Sequence, residues 1–469
     1  MQTGLDSDLN GRGSSAEPSQ AASKGASPLA ALLRQKSQSA EHRRLNRLTK
    51  LLGGFHLKGM IVDPPRQGQL RSLVQGDEIK VNFSSGNYLG LDVHPEVLEA
   101  CIEGIKTWAG HPGSSRIFYS HKNAVLLEQE LATFVGAEAS MLAVNVSQAH
   151  QGVVPVLFGN RHTTIFIDKH AHTSMYMASL IAKAKGARIC RVDIRKGLTD
   201  LSNKIQRDLR PTKVLMLDGL FSMQGDVPQL VPIQQLCRRQ NMVLYVDDAH
   251  GIGILGENGG GVAQHFNLNF ENLILIGSLQ KGLACSGGFV AGSKALIDLL
   301  KLQSTSYIFS GPLQPHTIES IRAAVRVCMS GEGQRLRENL KQKSHLLRAE
   351  LIAMGFDVER SESPIVPIPI GDDAATMYAG RLLYDLGFYV SSVCYPAVPK
   401  GAGILRVTVN SCHTDKELAD LISACGHLRA WLLKGRWQKK WEMAKDIFVS
   451  NLSGPRYKGI LKPSKKWGA

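Results

Sequence analysis

The chain has 469 residues, of which 43% are hydrophobic and 20% charged, and its formal net charge is +15. This length and composition predict a large buried core and more than one domain. No apolar run is long enough to span a membrane, and the N-terminus lacks the basic-then-apolar order of a signal peptide. These features argue against an integral membrane or secreted protein, and we expect a cytoplasmic one.

The eight cysteines are scattered and never form a C-x-x-C pair. With the cysteines scattered and without such a pair, neither a zinc site nor a disulfide framework is predicted. We interpret these residues as reduced core thiols.

The N-terminal part divides into two segments. Residues 1–28 are rich in Ser, Gly, Ala and Gln without periodicity, which predicts disorder. Over residues 29–80, leucines recur at helical spacing among basic residues, beginning with Leu29 and Leu32, which predicts a basic helical arm.

A large α/β domain is predicted over residues 81–333. Short apolar runs alternate there with amphipathic segments, which indicates right-handed β-α-β units and a mostly parallel sheet. The predicted strands are residues 163–167, 188–192, 213–217, 242–246 and 273–276, with a helix over 232–239.

Residues 334–433 are interpreted as a smaller C-terminal α/β domain. Its last helix is predicted to begin after Thr414, because Thr414 and Glu417 form the spacing of a capping box.

Residues 434–469 form a basic tail that holds ten lysines and arginines against two acidic residues, together with three tryptophans. This tail and residues 31–50 carry 13 of the 15 excess positive charges. A solvated tail is one interpretation. The other is docking of an acyl carrier protein or an anionic membrane surface. Nucleic acid is not expected as a partner.

Two motifs in the middle of the chain suggest chemistry. Asp247 follows the predicted strand 242–246, and Lys281 follows the strand 273–276 in a Ser278-x-x-Lys281 pair. Open α/β sheets build their sites at the carboxyl ends of strands, so the two side chains are expected to be neighbours. Pyridoxal phosphate (PLP) needs a lysine for its aldehyde and an acid for its ring nitrogen. The alternatives are a capping Asp247, a solvated Lys281, or a serine-lysine hydrolase.

A second cluster consists of Asp168, His170 and His172, which lie within one short run. Such residue types can bind a metal ion, but a further ligand is not identifiable. No metal is therefore predicted.

Further motifs extend the pattern over about residues 82–433. They are Asn87-Tyr88-Leu89-Gly90-Leu91, Gly113-Ser114-Ser115-Arg116, Asp218-Gly219-Leu220-Phe221-Ser222, Asp247-Asp248-Ala249-His250-Gly251, Ser278-x-x-Lys281 and Leu405-Arg406 before His413-Thr414. In this order they resemble the α-oxoamine synthase family of PLP enzymes. The resemblance implies PLP-dependent transferase fold type I, with a mostly parallel seven-stranded sheet, a smaller C-terminal domain and a homodimer.

The resemblance also implies roles around the cofactor ring. Lys281 matches the lysine that binds the aldehyde and later acts as a base, and Asp247 matches the partner of the ring nitrogen. His250 matches the residue that contacts the phenolic oxygen. His172 matches the histidine that stacks on the ring and polarises the incoming thioester.

Other matches concern the phosphate and the substrate. The phosphate ligands implied by the resemblance are Ser278, the backbone amides of Val146 and Ser147, and Ser310 from the other subunit. Ser222 and Asp218 match residues near the phenolic oxygen and the substrate, and Arg406, assisted by Asn87, matches the residue that binds the amino-acid carboxylate.

The chain departs from the family at three places. Val146-Ser147-Gln148-Ala149-His150 replaces the usual Gly-aromatic-x-Ala-Asn, the loop after Arg116 is altered, and Gln280 precedes the lysine where Gly or Ser is usual. The altered loop leaves the acyl donor open.

The implied reaction joins an amino acid to an acyl thioester, on coenzyme A or acyl carrier protein, and decarboxylates it to an α-aminoketone. Glycine, alanine and serine all remain candidate substrates. The alternatives are an aminotransferase or aldolase-type lyase of the same fold, and a catalytically degenerate binding subunit.

Overall fold

The computed structural model describes residues 27–39, 42–43, 46, 72–75, 78–358 and 360–433. The predicted basic tail and most of the predicted N-terminal segments lie outside these residues. The chain divides into two compact units, Met1–Gly54 and Phe55–Ala469. In the first, helix α1 (Pro28–Ser37) begins after Ser27, whose Oγ accepts a hydrogen bond from the Ala30 amide.

A seven-stranded sheet lies at the centre of the second unit. Its strands are β3 (Ala139–Ala143), β4 (Thr163–Asp168), β5 (Arg188–Val192), β6 (Thr212–Asp218), β7 (Val243–Asp248), β8 (Leu273–Ser278) and β9 (Gly288–Gly292). The order is β3-β9-β8-β7-β6-β4-β5, in which β9 runs antiparallel to both neighbours and the pairs from β8 to β5 are parallel. The predicted fold class and the strands β4 to β8 are confirmed.

Strands β3 and β9 were absent from the prediction for a physical reason. Strand β3 is built from Ala, Ser, Met and Leu, and β9 begins and ends with glycine. Strand β3 has no β-branched or aromatic residue and β9 has only Phe289 and Val290, so the local strand signal is weak and pairing between β3, β9 and β8 contributes to forming both strands.

Helices precede, alternate with and follow the strands of this sheet along the chain, and two hydrophobic cores cover its two faces. The helices are α2 (Pro95–Trp108), α3 (Lys122–Val135), α4 (Val146–Leu157), α5 (Thr173–Ala184), α6 (Leu198–Gln206), α7 (Leu230–Arg239), α8 (Val262–His265), α9 (Lys294–Gln303), α10 (Thr305–Ile308), α11 (Pro315–Met329) and α12 (Gly331–Ala353). Leu244 and Val246 of β7 belong to one hydrophobic core, and Tyr245 belongs to the other, which includes residues of α4 and α5. Tyr245 and Asp247, two residues apart, therefore share the α4 face.

The C-terminal part contains a second, antiparallel sheet. It is formed by β10 (Ile365–Gly371), β12 (Ser391–Val393) and β13 (Gly403–Thr408), in the order β10-β13-β12. Helices α13 (Asp373–Asp385) and α14 (Asp415–Leu433) follow β10 and β13. The Thr414 amide donates to Glu417 Oε2 at 2.7 Å and the Glu417 amide to Thr414 Oγ1 at 3.1 Å, which confirms the capping box.

The end of the predicted helical arm is different from the prediction. Strands β1 (Ser72–Gln75) and β2 (Glu78–Asn82) form an antiparallel pair, and β2 also pairs in parallel with β11 (Phe388–Tyr389). Because the β11 partner lies some 300 residues away in sequence, local leucine spacing could not reveal this pairing. The domain boundaries remain predictions.

Among the described residues, no helix has the length and apolar character needed to cross a membrane.

Candidate active site

A cavity of about 210 Å³ lies at the carboxyl ends of β6, β7 and β8. Asp218 of β6 and Asp247 of β7 are directly paired in the ladder, and Ser278 ends β8. The residues that line this cavity, called here the main cavity, are Asn145, Val146, Ser147, His172, Ser174, Asp218, Leu220, Ser222, Asp247, Ala249, His250, Ser278, Gln280 and Lys281. Nine of the twelve predicted site residues are among them.

Asp247 is buried and has a defined set of partners. Its Oδ1 accepts a hydrogen bond from the Ala249 amide at 3.0 Å, and its Oδ2 accepts one from His150 Nε2 at 2.9 Å. Burial alone would raise the pKa of Asp247, but the charge and hydrogen bond of His150, the charge of Lys281 and the Ala249 amide together lower it. Asp247 is therefore an ionised carboxylate at neutral pH.

His150 is a site residue that the sequence reasoning did not assign. It is fully buried on α4, and its Nδ1 forms a 2.8 Å hydrogen bond with the Tyr245 hydroxyl. Two signals pointed to it: His150 lies four residues after Val146, hence on the same helix face, and Tyr245 lies two residues before Asp247 in a strand.

Asp218 has the opposite electrostatic character from Asp247. Its Oδ1 accepts a hydrogen bond from the His172 amide at 2.9 Å, and the side chain is buried. Burial, followed by the negative charge of Asp247, raises the pKa of Asp218 well above its usual range. Asp218 is therefore suited to hold a proton beside the ionised Asp247.

Lys281 follows β8 and reaches the same cavity. Desolvation lowers the pKa of Lys281, while the charge of Asp247 acts in the opposite direction. Gly86 packs against its stem, since a Cβ on Gly86 would lie 3.5 Å from Lys281 Cγ. A desolvated amine held in this way is a better nucleophile and base than a solvated lysine.

His172 is the N-cap of α5 and lines the main cavity. Its Nδ1 lies 2.6 Å from Ser174 Oγ, which fixes the orientation of the ring. The imidazole keeps exposed surface, yet loss of water on its protein side lowers the pKa of His172. A neutral ring with an accessible face suits stacking on an aromatic ligand.

His250 is held by Tyr88. The Tyr88 hydroxyl and His250 Nδ1 are 2.6 Å apart, and both residues are buried. Burial raises the pKa of Tyr88 in spite of the charge of Arg406, and burial followed by the charge of Lys281 lowers the pKa of His250. A protonated phenol can donate to Nδ1 of a neutral imidazole, which leaves Nε2–H free to donate to a ligand.

The part of the main cavity lined by the start of α4 and the end of β8 has the features of an anion site. Helix α4 begins at Val146, after its N-cap residue Asn145. The Asn145 side chain accepts a hydrogen bond from the Gln148 amide, whereas the amides of Val146 and Ser147 lie at the start of the helix and can bind an anion. Ser278 Oγ accepts from the Gln280 amide at 3.1 Å, which leaves its own proton available for donation.

Gly288 keeps this helix start accessible. A Cβ on Gly288 would lie 2.9 Å from the Val146 nitrogen and 3.0 Å from the Asn145 carbonyl carbon, both of which are backbone atoms. A residue with a side chain would not fit here, so a glycine is needed for the start of β9 to lie this close to the start of α4.

Arg406, on β13, lies next to the segment that carries Ser222. Its Nε donates to the Ser222 carbonyl at 2.6 Å and its Nη1 to Thr408 Oγ1 at 3.2 Å. Asn87, by contrast, contacts Asp92 and Asn410: its Nδ2 donates to Asp92 Oδ2 at 2.7 Å and its Oδ1 accepts from Asn410 at 3.1 Å.

Ser310 lies outside the main cavity. It lines a second, smaller cavity together with Arg116, Leu142 and Tyr307. Its Oγ donates to Gln148 Oε1 at 3.5 Å, on the same helix as Val146 and Ser147, and its role in the other subunit stays a prediction.

The Asp168 carboxylate is occupied by backbone amides, one of them that of His170. Asp168 accepts hydrogen bonds from the amides of His170 at 2.7 Å and Ile194 at 2.9 Å. These bonds identify the carboxylate as a group that stabilises the turn after β4. In the part of the chain that the structure describes, no group of three or more His, Cys, Asp or Glu side chains could bind a metal ion.

The main cavity therefore fits PLP. A buried anionic carboxylate faces a desolvated lysine, and a helix start kept open by Gly288 offers amides and a serine hydroxyl for a phosphate. These groups match the three needs of the cofactor: an aldehyde acceptor, a ring-nitrogen partner and an anion site.

Sequence comparison identifies relatives over most of the chain. The model of the family "Aminotransferase class I and II" matches residues 78–424. The 8-amino-7-oxononanoate synthase of Petrotoga mobilis is 36% identical over 339 residues, which cover 72% of this chain and 85% of the relative. The 8-amino-7-oxononanoate synthase of Methylococcus capsulatus is 34% identical over 366 residues, covering 78% and 92%.

Structure comparison agrees on the fold. A serine palmitoyltransferase variant from S. paucimobilis, solved with bound PLP and myriocin, superposes with a TM-score of 0.75 at 23% identity and covers 84% of this chain and 98% of its own. Together with the family model and the relatives, the main cavity leads to one conclusion. The chain belongs to the aminotransferase class I and II family, and within it is a PLP-dependent α-oxoamine synthase that condenses an amino acid with an acyl thioester and loses carbon dioxide.

Proposed function

We propose that the main cavity carries out the whole condensation, with a small amino acid as one substrate and an acyl thioester as the other. The observation that supports this most is the pair formed by the ionised Asp247 and the desolvated Lys281 at neighbouring strand ends. Bound PLP supplies an aldehyde that condenses with amines and a ring that accepts the electron pair released from the amino-acid α-carbon.

Protein groups around the ring have distinct tasks in this proposal. Asp247 holds a proton on the ring nitrogen, and His250 donates Nε2–H to the phenolic oxygen. The Lys281 amine removes the α-proton once the amino acid is bound, because its lowered pKa brings it closer to neutral pH. Ser278 and the amides of Val146 and Ser147 bind the phosphate.

The amino-acid carboxylate is assigned to Arg406. Its Nε is anchored on Ser222 and its Nη1 on Thr408, which fixes the plane of the guanidinium group, and the other N–H groups of Nη1 and Nη2 are proposed to bind the carboxylate. Ser222 and Asp218 lie near the substrate, and a protonated Asp218 can donate a hydrogen bond to it. Asn87 is proposed to support Arg406 through the Asn410 segment that follows β13.

The acyl thioester is proposed to approach the face of the ring that His172 covers. His172 is accessible and its side chain can polarise the thioester carbonyl. Attack of the α-carbon forms the new carbon–carbon bond, the thiol leaves with a proton, and the carboxyl group departs as carbon dioxide. The balance is one amino acid, one thioester and one proton giving one α-aminoketone, one thiol and one carbon dioxide.

A homodimer is proposed from the apolar surface of the described residues. Leu98, Ile102 and Ile105 lie at helical spacing on α2 and are about half exposed. Phe118 and Phe309 expose 79% and 82% of their surface. Exposed apolar side chains of this size are commonly covered by a partner, and Phe309 directly precedes Ser310, the residue proposed to serve the other subunit.

The experiment that tests the proposed function is a thiol-release assay on the purified, PLP-loaded protein. Glycine, alanine and serine are each supplied with acyl-CoA thioesters of graded chain length, and Lys281→Ala is the control. The proposal predicts thiol release that requires both substrates and Lys281. Thiol release without an amino acid would indicate hydrolysis and contradict it, and so would an amino acid converted without any thiol release.

A further inference from the structure

His150 and Tyr245 form a buried hydrogen-bonded chain that ends on Asp247. The Tyr245 hydroxyl lies 2.8 Å from His150 Nδ1, and His150 Nε2 lies 2.9 Å from Asp247 Oδ2. Tyr245 and His150 have no exposed surface, and 4% of Asp247 is exposed.

Two elements, β7 and α4, hold this chain in place. Tyr245 and Asp247 point to the same face of β7, and α4 packs on that face through Ala149 and Val153. His150 is enclosed between them, with its ring centre 5.7 Å from that of Tyr245. Both ring nitrogens have partners, and since an ionised carboxylate only accepts hydrogen bonds, Nε2 must carry a proton to bond Asp247.

The arrangement has a chemical consequence for Asp247. Burial opposes ionisation of this carboxyl group, and the Nε2–H donor of His150 compensates for the lost water on Oδ2. The Ala249 amide holds Oδ1 in the same way. Both oxygens keep a further lone pair, so the carboxylate can pair with a ring nitrogen without rotating.

We propose that His150, oriented by Tyr245, is a positioning residue that holds Asp247 ionised and correctly turned to pair with the cofactor's ring nitrogen. The inference rests on the proposed role of Asp247. It also gives a reason for one departure of this chain, where histidine stands in place of the asparagine usual for the family.

The test measures cofactor affinity with two ligands. PLP forms the interaction in question, whereas 1-deazapyridoxal phosphate has a carbon atom in place of the ring nitrogen and cannot form it. Dissociation constants are measured by fluorescence for the wild type, His150→Leu, His150→Gln and Tyr245→Phe. Tyr384→Phe is the matched control, since it also removes a buried tyrosine hydroxyl that bonds a carboxylate, that of Glu78, away from the main cavity.

For His150→Leu, we expect PLP to bind roughly 10- to 100-fold more weakly, because the ionised Asp247 loses a hydrogen bond to a charged group. The deaza analogue should be affected by no more than about twofold, because it lacks the coupled group. His150→Gln should restore much of the PLP affinity, since its amide supplies an N–H donor. Tyr245→Phe should show a smaller loss than His150→Leu, and Tyr384→Phe none.

Two results would overturn the inference. One is equal weakening of PLP and the deaza analogue by His150→Leu, which would assign His150 a structural role. The other is unchanged affinity for both ligands in a variant that folds with normal circular dichroism. Failure of the proposed function would show separately, as absence of thiol release by the PLP-loaded wild-type protein, whatever the affinities of the variants.

Discussion

Asp218 and Asp247 are direct partners across the β6–β7 ladder, yet the protein shifts their pKa values in opposite directions. His150 and Lys281 compensate for the burial of Asp247. Asp218 receives a single backbone donor from His172 and the added repulsion of Asp247, so it binds its proton more tightly. A pair of carboxyl groups with separated pKa values provides one anion and one proton donor in the same cavity.

This difference predicts unequal effects of the same isosteric change. Asp218→Asn imitates the protonated acid in shape and in its ability to donate a hydrogen bond, and it should lower kcat/KM by less than about tenfold. Asp247→Asn removes the anion beside the ring nitrogen and should lower kcat/KM by roughly 100-fold or more. Steady-state kinetics of the two variants check the prediction, and similar losses in both would refute the assignment of charge.

The raised pKa of Asp218 also predicts a pH dependence of stability. The unfolded carboxyl group titrates near about 3.9, whereas the folded group holds its proton to higher pH. The stabilising contribution is therefore complete below the unfolded pKa and is lost as the pH rises through the folded pKa.

Asp218→Asn cannot titrate and should lose this dependence. The wild type loses this stabilisation as the pH rises and the variant does not. The melting temperature of the variant minus that of the wild type should therefore increase from about pH 4 to pH 8, as measured by thermal denaturation of the two apo-proteins. Burial also raises the pKa of Asp248, but Asp248 is present in both proteins, so its contribution cancels in the difference between their melting temperatures. A constant difference across this range would show that Asp218 is ionised in the folded protein.

Gly288→Ala should weaken binding of the phosphate group. The new Cβ would meet the Val146 nitrogen at 2.9 Å, and neither backbone can yield easily. We expect PLP to bind about 10- to 100-fold more weakly, because hydrogen bonds to a charged group contribute about 1.5–3 kcal/mol. Pyridoxal, which lacks the phosphate, should bind equally to both proteins.

Gly426→Ala is the matched control for that change. Gly426 lies in α14, and its new methyl group would meet no atom within 4 Å. Isothermal titration calorimetry with PLP and with pyridoxal distinguishes a specific loss of phosphate binding from a general distortion of the main cavity. A loss of affinity for both ligands in Gly288→Ala would indicate the distortion and contradict the prediction.

Arg406→Lys should raise the KM for the amino acid and leave the KM for the thioester unchanged. Lysine keeps the charge but loses the planar pair of donors and the anchor on Ser222. We expect kcat/KM for the amino acid to fall about 10- to 100-fold. Initial rates at varied concentrations of each substrate distinguish the two effects, and an increased KM for the thioester alone would place Arg406 elsewhere.

Part of this architecture is readable from local sequence. The apolar run before Asp247 predicted β7, and the spacing of Thr414 and Glu417 predicted the start of α14, because both signals lie within a few residues. The main cavity followed from the rule that parallel strands end at one edge. Lys281 and Asp247 were therefore found together as expected.

The interactions that local sequence did not reveal are those between distant elements. His150 lies 97 residues before Asp247, and Tyr88 lies 162 residues before His250. Each residue alone resembles an ordinary core aromatic or histidine, and only the packing of α4 on β7 gives His150 its partners. The pairing of β2 with β11 was missed for the same reason.

The central claim is that one cavity couples carbon–carbon bond formation to decarboxylation. The most direct measurement supplies an amino acid labelled with ¹³C at its carboxyl carbon together with an acyl thioester, and counts labelled carbon dioxide against released thiol. The account predicts a one-to-one ratio, an α-aminoketone without label, and neither product with Lys281→Ala. Thiol released without labelled carbon dioxide, or a labelled keto acid formed in place of the aminoketone, would contradict it.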